Sequence, residues 1–162
     1  MTEQTPAATP LKDVYAGWEQ FNKRLVTLVA PLTPEQLTIR TAQNQREVVK
    51  IIAHIISARA WWFHERLGEG DAKWEQYYTW DEDDGPTLNA AQLELGLEET
   101  WRLISECLAR WTTNDLGGEF PTSHDGMRTR QWVIWHVIEH DLFHGGEVSF
   151  ALGSSGVPGI DL

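Results

Sequence analysis

The sequence predicts an all-α fold, a four-helix bundle with a long loop between its second and third helices. Apolar residues recur at spacings of three and four over four long stretches. Glycine, proline and capping residues cluster between those stretches, and strand-like alternation is almost absent. A chain of 162 residues has the length of one domain and can bury a substantial core without disulfides or a structural metal. Residues 1–10 read as a disordered lead and residues 11–162 as a single domain.

Helix one is predicted over residues 11–30, where Leu11, Val14, Tyr15, Trp18, Phe21, Leu25, Leu28 and Val29 share one stripe. "APLTPEQL" breaks it, with Thr33 as N-cap and Pro34 opening a short helical turn. Helix two runs from about Asn44 to Leu67, free of Gly and Pro until Gly68, which stops it. Residues 68–86, "GEGDAKWEQYYTWDEDDGP", read as an ordered loop, since a solvated linker rarely carries two Trp and two Tyr. Helix three is capped near Thr87 or Asn89 and places Leu93, Leu97, Trp101, Ile104, Leu108 and Trp111 on one face. A turn-rich connection over residues 117–128 allows a short hairpin around "HDG", and helix four starts from Thr129 as N-cap and reaches about Leu152.

These lengths carry a topological expectation. A helix of about 24 residues is roughly 36 Å long, and a loop of about 19 residues can extend to roughly 60 Å. The second loop can therefore span the whole bundle, which lets helices two and three run parallel.

Composition narrows the function. A net charge of -11 argues against a phosphate-backbone binder, whose affinity rests on Lys and Arg. No apolar run approaches the roughly 20 residues needed to span a bilayer. The amino-terminal "MTEQTPAATP" has neither the basic nor the apolar region of a secretory signal, so a cytoplasmic location is expected. Cys107 is the single cysteine, so a metal site would rest on histidine and carboxylate.

Helix four carries the chemically suggestive pattern. "WVIWHVIEHDLFHGGEVSF" places His136, His140 and His144 at intervals of four. Residues four apart lie about 40° apart around a helix and one turn along it, so two of these rings can share one ion. All three together are harder to converge, because His136 and His144 lie about 12 Å apart along the axis. A further ligand should come from another helix. The best candidate is His54, set in the apolar run "VVKIIAHIISA", with Glu47 and Trp61 within about 20° of its direction. The chain lacks the Glu-x-x-His pairs of di-iron bundles and the His-Glu-x-x-His pattern of zinc proteases.

The run "WHVIEHDLFHGGE", the lone His54 in helix two and the tail "GVPGIDL" together resemble the DinB-like superfamily of bacterial four-helix-bundle metalloproteins. The resemblance covers nearly the whole chain. It implies His54, His140 and His144 as metal ligands, with His136 in packing or in a hydrogen bond behind the ligands. It departs at Gly145, where such proteins often carry a basic residue. Three neutral imidazoles leave coordination positions open, as in catalytic sites. Zinc is the default ion, with nickel, iron and manganese as alternatives that imidazole also suits. By the same resemblance the protein is a metal-dependent enzyme acting on a small electrophile, either a transferase using a low-molecular-weight thiol or a hydrolase. A homodimer is the implied assembly. The alternatives are a metal- or ligand-binding stress protein without turnover, and a purely structural bundle.

Glu47 is a candidate base for bound water or an orienting partner for His54, although a helix N-terminus also explains it. Glu147, three residues past His144, is a candidate hydrogen-bond partner for it. Trp61, Trp62, Trp74, Tyr77, Tyr78 and Trp80 either wall a pocket or fill the core. Cys107, without a basic neighbour, reads as packing. His64 and His124 show no partner pattern, and "DEDDG" lacks the spacing of a calcium loop and reads as a solvated turn.

Overall fold

The computed structural model describes residues 8–122 and 126–161. Four long helical segments and one small hairpin make up the described chain.

Helix one is interrupted. Segments α1 (Leu11–Val14) and α2 (Ala16–Val29) are separated by Tyr15, whose backbone (φ -108°, ψ 25°) leaves the helical region. The first turn is tethered elsewhere: Pro10 bridges Thr112, Thr113 N–H donates to Thr9 O, and Leu11 N–H donates to Trp111 O. Docking on the end of the third long helix sets the direction of α1, and Tyr15 absorbs the change into α2. The single turn α3 (Pro34–Leu37) is held by a reciprocal capping box between Thr33 and Gln36.

Helix α4 (Val48–Ala60) begins at Val48 rather than near Asn44. Arg40 accounts for the delay: its guanidinium donates to Gln45 O and to the Glu47 carboxylate, folding residues 40–47 into a loop. The helix then widens into a π-helical segment, Trp61–Arg66, which ends as expected at Gly68. Gly68 has φ 71° and donates its N–H to His64 O, a left-handed stop that glycine adopts without steric cost. The following loop is ordered, with a 3₁₀ segment over Ala72–Tyr77 that buries Trp74 and Tyr77.

Asn89, not Thr87, caps α5 (Ala90–Arg110), in a second capping box with Gln92. Strands β1 (Glu119–Thr122) and β2 (Gly126–Thr129) pair antiparallel, Phe120 opposite Arg128. The expected hairpin is therefore present, while His124 at its tip lies outside the described residues, as do residues 1–7 of the expected lead. Thr129 Oγ1 accepts from Trp132 N–H and caps α6 (Arg130–Ser154).

The relative directions follow from contacts. Ile56 packs at Gly96, Arg59 reaches Leu97 O, and Phe63 stacks on Trp111 at 6.0 Å. Contact positions rise together along both helices, so α4 and α5 are parallel, as the loop length allows. Helix α6 is antiparallel to α4: His54 meets His140 and His144, while Trp62 meets Trp132 and His136. One apolar core runs between α2, α4, α5 and α6. Among the described residues, no helix is long and apolar enough to cross a membrane.

Candidate metal centre

The crossing of α4 and α6 brings His54, His140 and His144 together, each offering one ring nitrogen, with these atoms within 4.8 Å of one another. His54 Nε2 and His140 Nε2 are 3.0 Å apart, and the His140 and His144 rings lie 4.4 Å apart. His136 is not in this group. Its ring stacks on Trp132 at 4.9 Å and meets Trp62 edge-on, continuing the site as an aromatic wall. Part of that wall comes from the π-helical widening that carries Trp62, a distortion frequent at functional sites.

Two carboxylates fix the rings. His54 Nδ1–H donates to Asp81 Oδ2 at 2.6 Å, and His144 Nδ1–H donates to Glu147 Oε2 at 2.5 Å. Each bond sets the tautomer, leaving Nε2 with its lone pair free. Burial, and then the neighbouring His144, His54, His136 and Arg59, push the His140 pKa down to about 3. Burial also lowers that of His144, against the opposing pull of Glu147. Burial alone would raise the Asp81 pKa, but the hydrogen bond and charge of His54, with help from Ser57, hold it below the usual carboxylate value. The protonated forms of His140 and His144 are thus disfavoured, while Asp81 behind His54 favours its anion. His140 Nδ1 is buried with no hydrogen-bond partner among the described residues.

Asp81 corrects the expectation of a solvated turn for "DEDDG". Glu82, Asp83 and Asp84 are exposed, but Asp81 turns inward to His54. The preceding segment is pinned to α4 by Ser57 Oγ–H donating to Tyr78 O, and Lys50 holds Glu82 O. Glu47 sits at the N-cap of α4 with its carboxylate on Arg40 at 2.7 Å, so the bond to His54 belongs to Asp81 instead. Glu147 is in contact with His144, as its spacing suggested. His54 itself is partly exposed rather than central to the core.

The fully buried polar group at the bundle centre is a different one. Arg59 Nε donates to both Asp141 oxygens at 3.1 and 2.9 Å, and its Nη1 donates to Asn22 Oδ1 at 2.7 Å. Trp18 Nε1–H completes the network on Asp141 Oδ2 at 2.7 Å. Arg59 and Asp141 are both inaccessible to solvent. Sequence reasoning missed this pair, though the signal is present: Ile134, Val137, Asp141, Gly145, Val148 and Leu152 form one buried stripe, with a single charge in it. Arg59 is the matching charge on the buried side of α4.

The other expected residues fall as follows. Trp74 and Tyr77 join the core. Cys107 is buried and, contrary to the expectation of no basic neighbour, accepts from Arg110 Nη2 at 3.4 Å, yet burial followed by the charge of Glu69 still pushes its thiol up to about 12, which keeps it in a packing role. His64 Nδ1 lies 2.7 Å from Glu69 O and closes the π-helical end rather than joining the cluster. Gly145 is set by close packing: a Cβ there would lie 2.5 Å from Phe21 Cζ, which leaves no room for a basic side chain.

Comparison with known proteins agrees with this architecture. The family model described as "DinB family" matches residues 4–161. A DinB-like protein from Bacillus cereus ATCC 10987 superposes with a TM-score of 0.73 at 18% identity, over 96% of this chain and 100% of its own. A conserved protein from Enterococcus faecalis does so with a TM-score of 0.67 at 15% identity, over 91% and 99%. At these identities the likeness is one of fold. No curated protein matches the sequence.

Proposed function

The chain belongs to the DinB family, and from that membership and the three converging imidazoles we propose that it is a metal-dependent enzyme acting on a small electrophilic molecule. The reaction is either transfer of a low-molecular-weight thiol or hydrolysis. The observation that carries this reading is the cluster of His54, His140 and His144, two of whose rings are already oriented by carboxylates.

The donor set fits a divalent ion. Neutral imidazoles suit zinc, nickel, iron and manganese, and the low pKa of His140 means that a metal meets no competing proton there near neutral pH. His54 and His144 would bind through Nε2, since Nδ1 of each is committed to Asp81 or Glu147. A bound divalent ion lowers the pKa of a coordinated thiol or water and polarises an electrophile.

The chain's own residues do the rest. Asp81 and Glu147 offset positive charge accumulating at the centre and hold the rings still while substrate exchanges. Trp62, Trp132 and His136 form an aromatic flank against which a planar substrate can lie. Arg59 and Asp141, one position from His140, lock the facing helices so that the imidazoles keep their separation.

Elemental analysis of untagged wild-type protein and of His54→Ala tests the reading. About one transition-metal ion per chain, lost in the variant, is the expected result, followed by thiol-conjugation and hydrolysis assays. Wild-type protein that binds neither zinc nor nickel when they are supplied would remove the proposed chemistry.

A further inference from the structure

The loop leading into α4 sets an unpaired cation beside the histidine cluster. Arg40 donates to Gln45 O at 3.0 Å and to Glu47 Oε1 at 2.7 Å, so the residues on either side of Arg46 are pinned. Arg46 between them is exposed and makes no hydrogen bond or ion pair among the described residues. Other arginines are engaged: Arg40, Arg59, Arg102 and Arg110 each hold a carboxylate. With 24 acidic side chains against 13 basic ones, carboxylate partners are in excess, yet none is on Arg46. Arg24 also lacks one, but it lines a different groove, between α2 and the tail.

What distinguishes Arg46 is its place. Thr41, Gln45, Arg46, Ile51, His144 and Glu147 line one cavity of about 220 Å³, so an expected metal ligand forms part of its wall. The charge of Arg46 is among those that reach the His144 ring. Neither Thr41 nor Gln45 uses its side chain in a hydrogen bond among the described residues, which leaves a hydroxyl and an amide available beside the guanidinium. Glu147 is the opposing charge, and its carboxylate is committed to His144 Nδ1. A dianion would meet that repulsion twice over, whereas a planar monoanion matches the forked donors of a guanidinium.

We infer that this cavity is a carboxylate seat: the molecule that binds at the centre carries a carboxylate, received by Arg46 with Thr41 and Gln45 as further donors. The inference rests on the proposed metal-dependent reaction and adds a substrate class to it. Size agrees with the assignment. A complete small-molecule pocket has about 300–1,000 Å³, so this cavity holds one end of a ligand whose remainder lies over the imidazoles. The aromatic flank of Trp62, Trp132 and His136 stands at the other end. Along α6, His136 precedes His140 by about one turn and Glu147 follows His144 by three residues, which places the flank and the seat on opposite sides of the cluster. That order fits a monocarboxylic acid with a planar or apolar far end and its reacting atom between the two. A local cation also offsets, at this one point, the repulsion that a chain of net charge -11 exerts on an anion.

Nuclear magnetic resonance titrations of the wild-type protein and of Arg46→Gln test the inference with two pairs of probes. On metal-free protein the pair is 3-phenylpropanoate and 3-phenylpropanamide, which differ in the charge of one end. On zinc-loaded protein it is 3-mercaptopropanoate and 3-mercaptopropanamide, whose thiolates occupy the ion alike. In at least one pair the acid is expected to bind about tenfold more tightly than the amide, the scale of a charge-assisted hydrogen bond weakened by solvent, and the two should bind equally to Arg46→Gln. A preference in the first pair alone assigns the carboxylate to the electrophile, and in the second alone to the thiol. No preference in either pair, as when the guanidinium folds onto Glu147 in solution, would overturn the inference, and so would a preference that survives in Arg46→Gln. Failure to take up zinc would instead remove the metal-dependent reading, and the metal-free pair would still decide whether the seat exists.

Discussion

Asp81 and Glu147 decide which nitrogen of His54 and His144 is free, because a carboxylate can only accept and so demands Nδ1–H. Replacing either by its amide removes the negative charge and, because an amide can donate as well as accept, the demand for one tautomer, without removing a ligand. Asp81→Asn and Glu147→Gln are each expected to weaken metal affinity by about 10–100-fold, the usual effect of losing an orienting partner. His140→Ala should abolish binding and His136→Ala should retain most of it, since His136 stacks on Trp132 instead of joining the cluster. Competition titrations against a chromogenic chelator give all four values. Wild-type affinity in Asp81→Asn would show that the loop contact is incidental to the site.

At the scale of elements, the pairing of α4 with α6 rests on the buried Arg59–Asp141 pair as well as on apolar contact. Desolvating two charges offsets most of their attraction, so the pair adds little net stability, but removing one partner strands the other in an apolar core. Asp141→Ala is expected to cost about 3–5 kcal/mol in urea unfolding, whereas the double replacement Arg59→Met with Asp141→Leu should recover most of that loss. A single variant within about 0.5 kcal/mol of wild type would mean that the network is solvated in solution. Because Asp141 follows His140 directly, the same pair that selects the register of the two helices also positions the imidazoles. The π-helical segment after α4 and the inward turn at Asp81 act on the same crossing from outside, one supplying Trp62 and the other holding His54.

The whole molecule has a built-in alkaline limit. Burial and the Glu69 charge raise the Cys107 thiol to about 12, burial and the Glu65 charge raise the Tyr78 phenol to about 12, and burial raises Tyr77 and Tyr15 as well. In the unfolded chain a thiol titrates near pH 8.5 and a phenol near pH 10. Above those values the unfolded state has lost protons that the folded state retains, so stability falls as pH rises. It is fully present below about pH 8.5 and is lost progressively up to about pH 12. The urea midpoint should therefore drop between pH 8 and 11, with a smaller drop in Cys107→Ala. A flat profile would show that these groups titrate normally in the fold.

Repetition and punctuation are local properties, and the sequence determined what depends on them. The four helices and the stops and caps at Gly68, Thr33 and Thr129 follow from spacing and capping chemistry, while turn residues and loop length allowed the hairpin and the parallel run of α4 and α5 without requiring them. Spacing narrowed the helix-four histidines to a pair and marked His54 as the one that interrupts an apolar run, while the choice of His140 and His144 over His136 came from the family resemblance. Partnership across the fold was decided only by tertiary structure. Asp81 lies 27 positions from His54, and Asp141 lies 82 from Arg59. Nothing in a run of acidic residues marks which carboxylate will turn inward. That choice depends on Ser57 and Lys50 docking the loop onto α4, a contact that exists only once the bundle has formed.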